Sequence, residues 1–210
     1  MIRRLLPEKT VERLSEYRRT LLKCMEEGKH YIYSHELAHI HNVTPVQVRR
    51  DIMFISFTSF HRKGYNVKEL ADAISKILDP EPFLNVAVVG LGNLGRAITA
   101  YFAGKRPHLN LIAAFDIDPQ KFNTTIGNVK CYPMERLNDL IKNLNISIAI
   151  LTVPTDVAQS TAQQLVNAGI KGILNFTSVT LKLPENIMHV DYDMVTSIEK
   201  LAYYVKNVTT

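Results

Sequence analysis

From residue 86 onward the apolar residues gather in short runs separated by turn-forming and polar segments. Val86 to Val89, Leu111 to Phe115, and the stretches 147–152 and 173–176 are compact and rich in Val, Ile, Leu and Ala, which predicts buried strands. Segments 129–132 and 188–190 are further strand candidates. Helical stretches at about 134–144 and 156–168 separate several of them, and Ala97 to Phe102 continues a helix after the first strand. Strand and helix in alternation predict an α/β fold with a Rossmann-like doubly wound parallel sheet. The first third has another rhythm. Pro7 to Glu27 reads as a helix with Val11, Leu14, Leu21, Leu22 and Met25 at helical spacing and Gly28 as its stop. Ser34 is the expected N-cap of a short second helix, in which Leu37, Ala38 and Ile40 are apolar. Thr44-Pro45-Val46-Gln47 reads as a capping box with proline at the first helical position, so a third helix starts at about Pro45. Its apolar side is Val48, Ile52 and Ile55.

The segment DPEPFLN, with Pro80 and Pro82, breaks helical periodicity just before the first strand. A boundary there divides the 210 residues into an N-terminal domain, 1–80, and a second, 84–210. The longest apolar runs, such as IAILTV at 148–153, are far shorter than the roughly 20 residues of a membrane span. MIRRLLPEKTVERL offers no long apolar stretch of a signal peptide, so a cytoplasmic protein without a membrane partner is expected. Cys24 and Cys131 lie far apart, form no CxxC and read as small core residues. Charge separates the two regions. Residues 1–67 hold 12 Lys/Arg against 7 Asp/Glu, while residues 68–210 hold 13 of each, which points to a polyanionic partner for the N-terminal part.

Two short helices joined by HNV, the second carrying Gln47, Arg49 and Arg50 near its start, describe a helix-turn-helix. At about 100° per residue, Gln47 and Arg50 fall on the outward face and Arg49 on its flank. His61, Arg62, Lys63, Gly64 and Tyr65 form a basic turn where a wing would sit. In the second region Gly90-Leu91-Gly92-Asn93-Leu94-Gly95 fits GxGxxG, directly after a strand, opening a helix, with Asp116 about 20 residues on. Gly90 permits the tight turn, Gly92 lets amides approach a pyrophosphate, and Gly95 lets helix and strand pack closely. The acid of Asp116 is suited to ribose hydroxyls and would repel a 2′-phosphate, so NAD(H) is favoured over NADP(H). His35-Glu36-Leu37-Ala38-His39 also matches HExxH, the zinc peptidase pattern. It lies on the first helix of the helix-turn-helix, with no third ligand at the spacing a catalytic zinc needs, so no metal site is expected.

The order helix-turn-helix, glycine loop and acid resembles the Rex family of redox-sensing transcriptional repressors. VQVRRD at 46–51, GLGNLG at 90–95, AFDID at 114–118, ILTVP at 150–154 and GIKGILNF at 169–176 carry the likeness, which runs from about Pro7 to Val205. It implies a winged helix-turn-helix domain, then a Rossmann domain, then a C-terminal helix at about 193–206 swapped into a partner subunit. It implies a homodimer that binds palindromic operators in double-stranded DNA when NADH is scarce and leaves them when NADH binds. By the same resemblance, Gln47, Arg49 and Arg50 would contact the major groove, and Arg62 and Lys63 the minor groove. Gly90, Gly92, Asn93, Leu94, Gly95, Tyr101, Asp116, Thr152, Val153, Pro154 and Asp191 would form the NAD(H) site, with Asp191 coupled to Arg19. The family's wing is glycine-rich, whereas SFTSFHRKGY keeps only Gly64 of those glycines, with Ser56, Ser59 and Arg62 in glycine-like places. Where such positions need positive φ, the wing is expected to be reshaped. Phe54, Phe57 and Phe60 are apolar there.

No catalytic residue is expected, because the sheet occupies residues 84 to about 190, leaving no substrate domain and no His or Lys poised as acid or base. Two alternatives stand beside the repressor. One is an NAD(H)- or CoA-binding Rossmann protein whose N-terminal domain no longer binds DNA specifically, and the other is an NAD-dependent oxidoreductase.

Overall fold

The computed structural model describes residues 5–58, 64–79, 82–102 and 109–208. The chain divides into two compact units, Met1–Pro80 and Glu81–Thr210.

The first unit runs α1 (Glu8–Glu26), β1 (Tyr31–Ile32), α2 (Ser34–Ile40), α3 (Pro45–Phe54), β2 (Tyr65–Asn66) and α4 (Val67–Leu78). The two short strands pair antiparallel, Ile32 opposite Tyr65. A single core gathers α1, α2, α3 and α4 around Leu14, Leu21, Leu37, Val48, Ile52, Leu70 and Ile74. The buried stripe of α1 is Thr10, Leu14, Tyr17, Leu21 and Cys24. Val11, Leu22 and Met25, read from the sequence as inward, remain about two-fifths exposed (39%, 42% and 39%). Thr10 and Tyr17 take the inward positions because their hydroxyls reach the buried carboxylate of Asp51, at 3.5 and 3.1 Å.

Helix α2 starts at Ser34 itself rather than after it. Tyr33 holds the cap position, and Glu36 accepts its N–H at 2.7 Å. The hydroxyl of Ser34 instead accepts from Arg49 at 3.1 Å, joining α2 to α3. In the intervening turn Asn42 has φ +51°, a left-handed conformation that asparagine tolerates. Thr44 caps α3 by accepting the Gln47 N–H at 3.1 Å. Only this half of the expected capping box forms, since the Gln47 side chain turns to Asp51 instead.

The second unit runs β3 (Leu84–Val89), α5 (Asn93–Phe102), β4 (Leu109–Asp116), β5 (Thr125–Ile126), β6 (Val129–Pro133), α6 (Leu137–Asn143), β7 (Ile146–Leu151), α7 (Thr155–Ala168), β8 (Gly172–Asn175), β9 (Met188–Asp191) and α8 (Met194–Val208). Its strands lie in the order β5-β6-β4-β3-β7-β8-β9, all parallel except the β5–β6 pair. The hairpin β5–β6, absent from the sequence expectation, turns at Gly127, whose φ is +59°. Along β3 the side chains alternate. Ala87 and Val89 join a core with α6 and α7, while Val86 and Val88 join one with Ile98 of α5. The chain reverses direction across the sheet between β3 and β7, and that switch point is where α/β sheets bind ligands. Both cysteines are buried and free. Among the described residues no helix is long and apolar enough to cross a membrane.

After α3, Ser56 has φ +54°. A left-handed conformation that glycine adopts readily is therefore taken up here by a residue with a Cβ. Gly64 has φ +94°, and a Cβ there would meet the Ile32 carbonyl oxygen at 2.7 Å. Phe57 packs against the core, its ring 6.3 Å from that of Tyr65. Ser59, Phe60, His61, Arg62 and Lys63 lie outside the described residues.

Left-handed backbone costs a non-glycine residue about 1–2 kcal/mol, partly offset by the larger unfolded-state freedom of glycine. Ser56→Gly is therefore expected to stabilise the protein by about 0.5–1 kcal/mol in urea unfolding. A loss of stability would show that the Ser56 hydroxyl, not its backbone, governs the position.

Candidate functional site

The glycine loop lies at the carboxyl end of β3, beside β7. Gly90 has φ +94°, and a Cβ there would stand 2.7 Å from the Thr152 carbonyl oxygen. A Cβ on Gly95 would stand 1.9 Å from the Gly90 carbonyl oxygen, so no larger residue fits without moving α5. Gly92 is different: a Cβ there meets nothing within 4 Å. Two glycines are thus set by packing and one faces open space. The first amides of α5 have no acceptor within the helix and carry its partial positive charge, which suits them to an anion.

Two side chains from neighbouring strands hold the loop. The Thr152 hydroxyl, just past β7, donates toward the carbonyls of Gly90 (2.7 Å) and Val89 (3.1 Å). Asp116, ending β4, is buried, and its Oδ2 accepts the Leu91 N–H at 2.6 Å. Its Oδ1 accepts the Asp118 N–H at 2.9 Å, and Lys121 donates to Oδ2 at 3.0 Å. Burial alone would push this carboxyl up. The Asp118 amide, the Lys121 ammonium and the Leu91 amide outweigh it and hold Asp116 below the usual carboxylate range. The carboxylate expected to face a ribose is thus already engaged as a clamp on the loop, and Lys121 offsets its charge. Lys121 was not singled out in the sequence. Its signal was available in DPQK, where a lysine five residues past the strand-ending acid can fold back onto it.

Val153 reaches the Gly90 side of the loop, where its Cγ1 would lie 3.1 Å from a Cβ on that glycine. Pro154 is exposed at the start of α7. Asn93 and Leu94 open α5 and are exposed, and Tyr101, near its other end, is 63% exposed with its ring edge-on to Phe102. Asp191 ends β9 and accepts from the amide of Asn175 at 2.8 Å. Asn175 is fully buried and also donates to the Val179 carbonyl, while its oxygen accepts from both the N–H and the hydroxyl of Thr177. The neighbouring acid Asp193 caps α8 through the amides of Val195 and Thr196.

In the first unit, Arg49 and Arg50 are both exposed on α3. Arg49 donates to Ser34, whereas Arg50 has no hydrogen-bond or ion-pair partner among the described residues. Gln47 departs from its expected outward position. It is half-buried, and its amide donates to Asp51 at 2.9 Å, one helical turn on. The azimuth of a helical position does not fix where a flexible side chain goes, and the buried carboxylate draws it inward.

Two of the HExxH side chains, Glu36 and His35, make other contacts. Glu36 is tied to Lys29 and to the Tyr33 amide, which hold its carboxyl below the usual range. The His35 ring stacks on Tyr33, with centroids 5.3 Å apart. Among the described residues no three His, Cys, Asp or Glu side chains are placed to share a metal ion.

Residues 84–179 match the family model described as the CoA binding domain, and residues 6–52 that described as "Putative DNA-binding protein N-terminus". A redox-sensing transcriptional repressor Rex from Lactobacillus acidophilus is 37% identical over 200 residues, 95% of this chain and 95% of the relative. Its counterpart from Listeria monocytogenes is 34% identical over 202 residues, 96% of this chain and 94% of that one. Among solved structures, RSP, a Rex-family repressor, is 33% identical, with a TM-score of 0.86 over 99% of this chain and 97% of its own. RSP in complex with β-NADH gives 0.87 over the same shares. RSP in complex with β-NAD+ and operator DNA gives 0.89, over 99% of this chain and 95% of that one.

Gly95→Ala is expected to lower the melting temperature of the second unit, because its methyl collides with backbone. Gly92→Ala should leave the melting temperature within error. Equal melting losses for both would remove the distinction between packing and open glycines. The stabilisation from Asp116 also has a pH signature. Its folded pKa is depressed, so the contribution is fully present above the unfolded value of about 4 and is lost as pH falls through the lower folded value. The melting difference between wild type and Asp116→Ala should therefore shrink from about pH 6 to about pH 3, as followed by circular dichroism.

Proposed function

The chain belongs to the Rex family of redox-sensing transcriptional repressors, and we propose that it binds an operator in double-stranded DNA and leaves it when NADH binds. The observation that carries this reading is the union, in one chain, of a helix-turn-helix with an exposed arginine pair and a Rossmann glycine loop with an open face at Gly92. The likeness to RSP with NAD+ and operator DNA extends over both parts.

The fit to a dinucleotide follows from the loop. Asp116 takes the Leu91 amide, and Gly90 donates its own N–H to the Phe115 carbonyl, so the amides from Gly92 to Leu94 are the ones aimed at a pyrophosphate. The open side of Gly92 admits the phosphates. Thr152, Val153 and Pro154 border the crevice, and Tyr101 stands toward the nicotinamide end. Asp116 shapes the loop more than it grips a ribose. On α3, Arg50 is the residue for a bidentate contact to guanine and Arg49 for a phosphate, with Arg62 and Lys63 contributing from the wing.

The chain acts as a homodimer. Support comes from α8, which leaves Val195, Ile198, Leu201, Tyr204 and Val205 more than half exposed. A helix that leaves such a stripe uncovered in its own chain matches a swapped element buried by a second copy, and a two-fold dimer matches a palindromic site. By the family resemblance, Asp191, held by Asn175, and the exposed Arg19 are assigned to coupling dinucleotide state to DNA binding. No reaction is needed for such a sensor. NADH need only favour the DNA-free arrangement, and a coupling of about 1–3 kcal/mol gives a 5- to 150-fold change in operator affinity.

Fluorescence anisotropy on a palindromic family-type operator, at fixed salt, tests the reading. NADH should weaken binding at least about fivefold more than NAD+ or coenzyme A at equal saturation. Gly92→Ala should blunt that response, and Arg50→Ala should abolish specific binding. Equal effects of NADH and NAD+ would remove redox sensing, and a response to coenzyme A alone would favour a CoA-binding module.

A further inference from the structure

The buried acid of the helix-turn-helix is the least expected feature of the first unit. Asp51 lies on α3 with none of its surface exposed. Arg13 grips it with two bonds of 2.7 Å, Nε to Oδ2 and Nη2 to Oδ1. Tyr17 donates its hydroxyl to Oδ2 at 3.1 Å, and Thr10 stands at 3.5 Å from Oδ1. Three of these partners come from α1, 34 to 41 residues away in sequence. The fourth is the half-buried side chain of Gln47, whose Nε2 lies 2.9 Å from Oδ1.

A carboxylate paired to a guanidinium offers acceptors only. Gln47 must therefore turn its NH2 toward Asp51, and its carbonyl oxygen must point away. A free glutamine can flip its amide, presenting donor and acceptor in either order, and so reads a base edge ambiguously. Asp51 removes that freedom. The N-terminal residues of a recognition helix are those that meet base edges, and Gln47 is the third residue of α3.

We propose that Asp51, anchored by Arg13, is a positioning residue that fixes the amide polarity of Gln47 and thereby sets base discrimination at one operator position. The inference rests on the repressor reading given above. Gln47 touches the DNA; Asp51 acts through it. A merely structural Asp51 would hold α1 against α3 and affect every operator alike. An orienting Asp51 affects one base pair more than the rest.

The experiment is an anisotropy scan of the full-length protein against operators in which each base pair of the half-site is changed in turn, in both halves. Wild type should discriminate at the Gln47 position by between about 5- and 150-fold. Gln47→Ala should flatten that position. Asp51→Asn, whose side chain can accept or donate and so permits both amide orientations, should flatten the same position while leaving ratios at the others within about twofold. The double variant should add nothing further at that position. Circular dichroism checks that each variant folds. Should Asp51→Asn unfold, Arg13→Lys, which keeps the charge but loses the two-point grip, should reduce discrimination at that position alone. Uniform weakening across all operators, by Asp51→Asn or Arg13→Lys, would overturn the proposal, as would a Gln47→Ala variant with the wild-type profile. Failure of wild type to bind any operator would instead remove the repressor reading itself.

Discussion

Helix α5 lies so close to the end of β3 that a methyl group at Gly95 would stand 1.9 Å from the Gly90 carbonyl oxygen. That approach fixes where the helix begins, and so where its unpaired amides point. Everything else around the loop serves it. Thr152 donates to the same Gly90 carbonyl from β7, and Asp116 takes the Leu91 amide from β4. Three adjacent parallel strands thus end on one turn, and the turn can be rigid before any ligand arrives. A preformed cradle avoids the ordering cost that a flexible loop would incur on binding.

The first unit solves a similar problem with a similar device. Asp51 is a buried carboxylate that organises backbone and side chains around it, as Asp116 does in the second unit. The difference lies in the counter-charge. Asp116 meets a lysine five residues on in its own loop, while Asp51 meets an arginine from another helix. A buried acid without its cation is strongly destabilising, so α3 can sit in this orientation only when α1 is docked. The helix that carries Arg49 and Arg50 is therefore tied to α1 by charge as well as by apolar packing.

How much of this was legible in the chain depends on range. The strands, the glycine loop and its acid follow from patterns within about 30 residues, and the loop context is specific because each glycine answers a local need. Helix α3 was legible for the same reason, since Thr44 and Pro45 mark its start. The two-residue strands β1, β2 and β5 are too short to show any alternation. Asp51 offered a signal, because it lies between Val48 and Ile52 on the inward side of α3, where a lone acid demands a partner. That the partner is Arg13, 38 residues earlier, is a fact of tertiary packing. Ser56 shows the converse. Its glycine-like place could be read from the resemblance, but only the structure shows that serine adopts the left-handed conformation there.

On the proposed reading, the nicotinamide end is where NADH and NAD+ must be told apart. NADH and NAD+ share the adenosine and pyrophosphate, so groups that meet only those parts, as proposed for the glycine loop, hold both forms alike and cannot supply discrimination. The difference is confined to one ring and its charge. Tyr101, proposed for that end, is 63% exposed, whereas Gly95, Ile98 and Thr99 of the same helix are buried. Equal affinity for both forms would shift no equilibrium however tight the binding. In the proposed dimer, α8 of a second copy, with its exposed apolar stripe, is an element suited to supply groups that distinguish the two rings. On this view the dimer is more than a means of matching a palindrome. In the proposed assembly it would also complete the binding site, so that reading the ring and arranging the two helix-turn-helix units would become one conformational event.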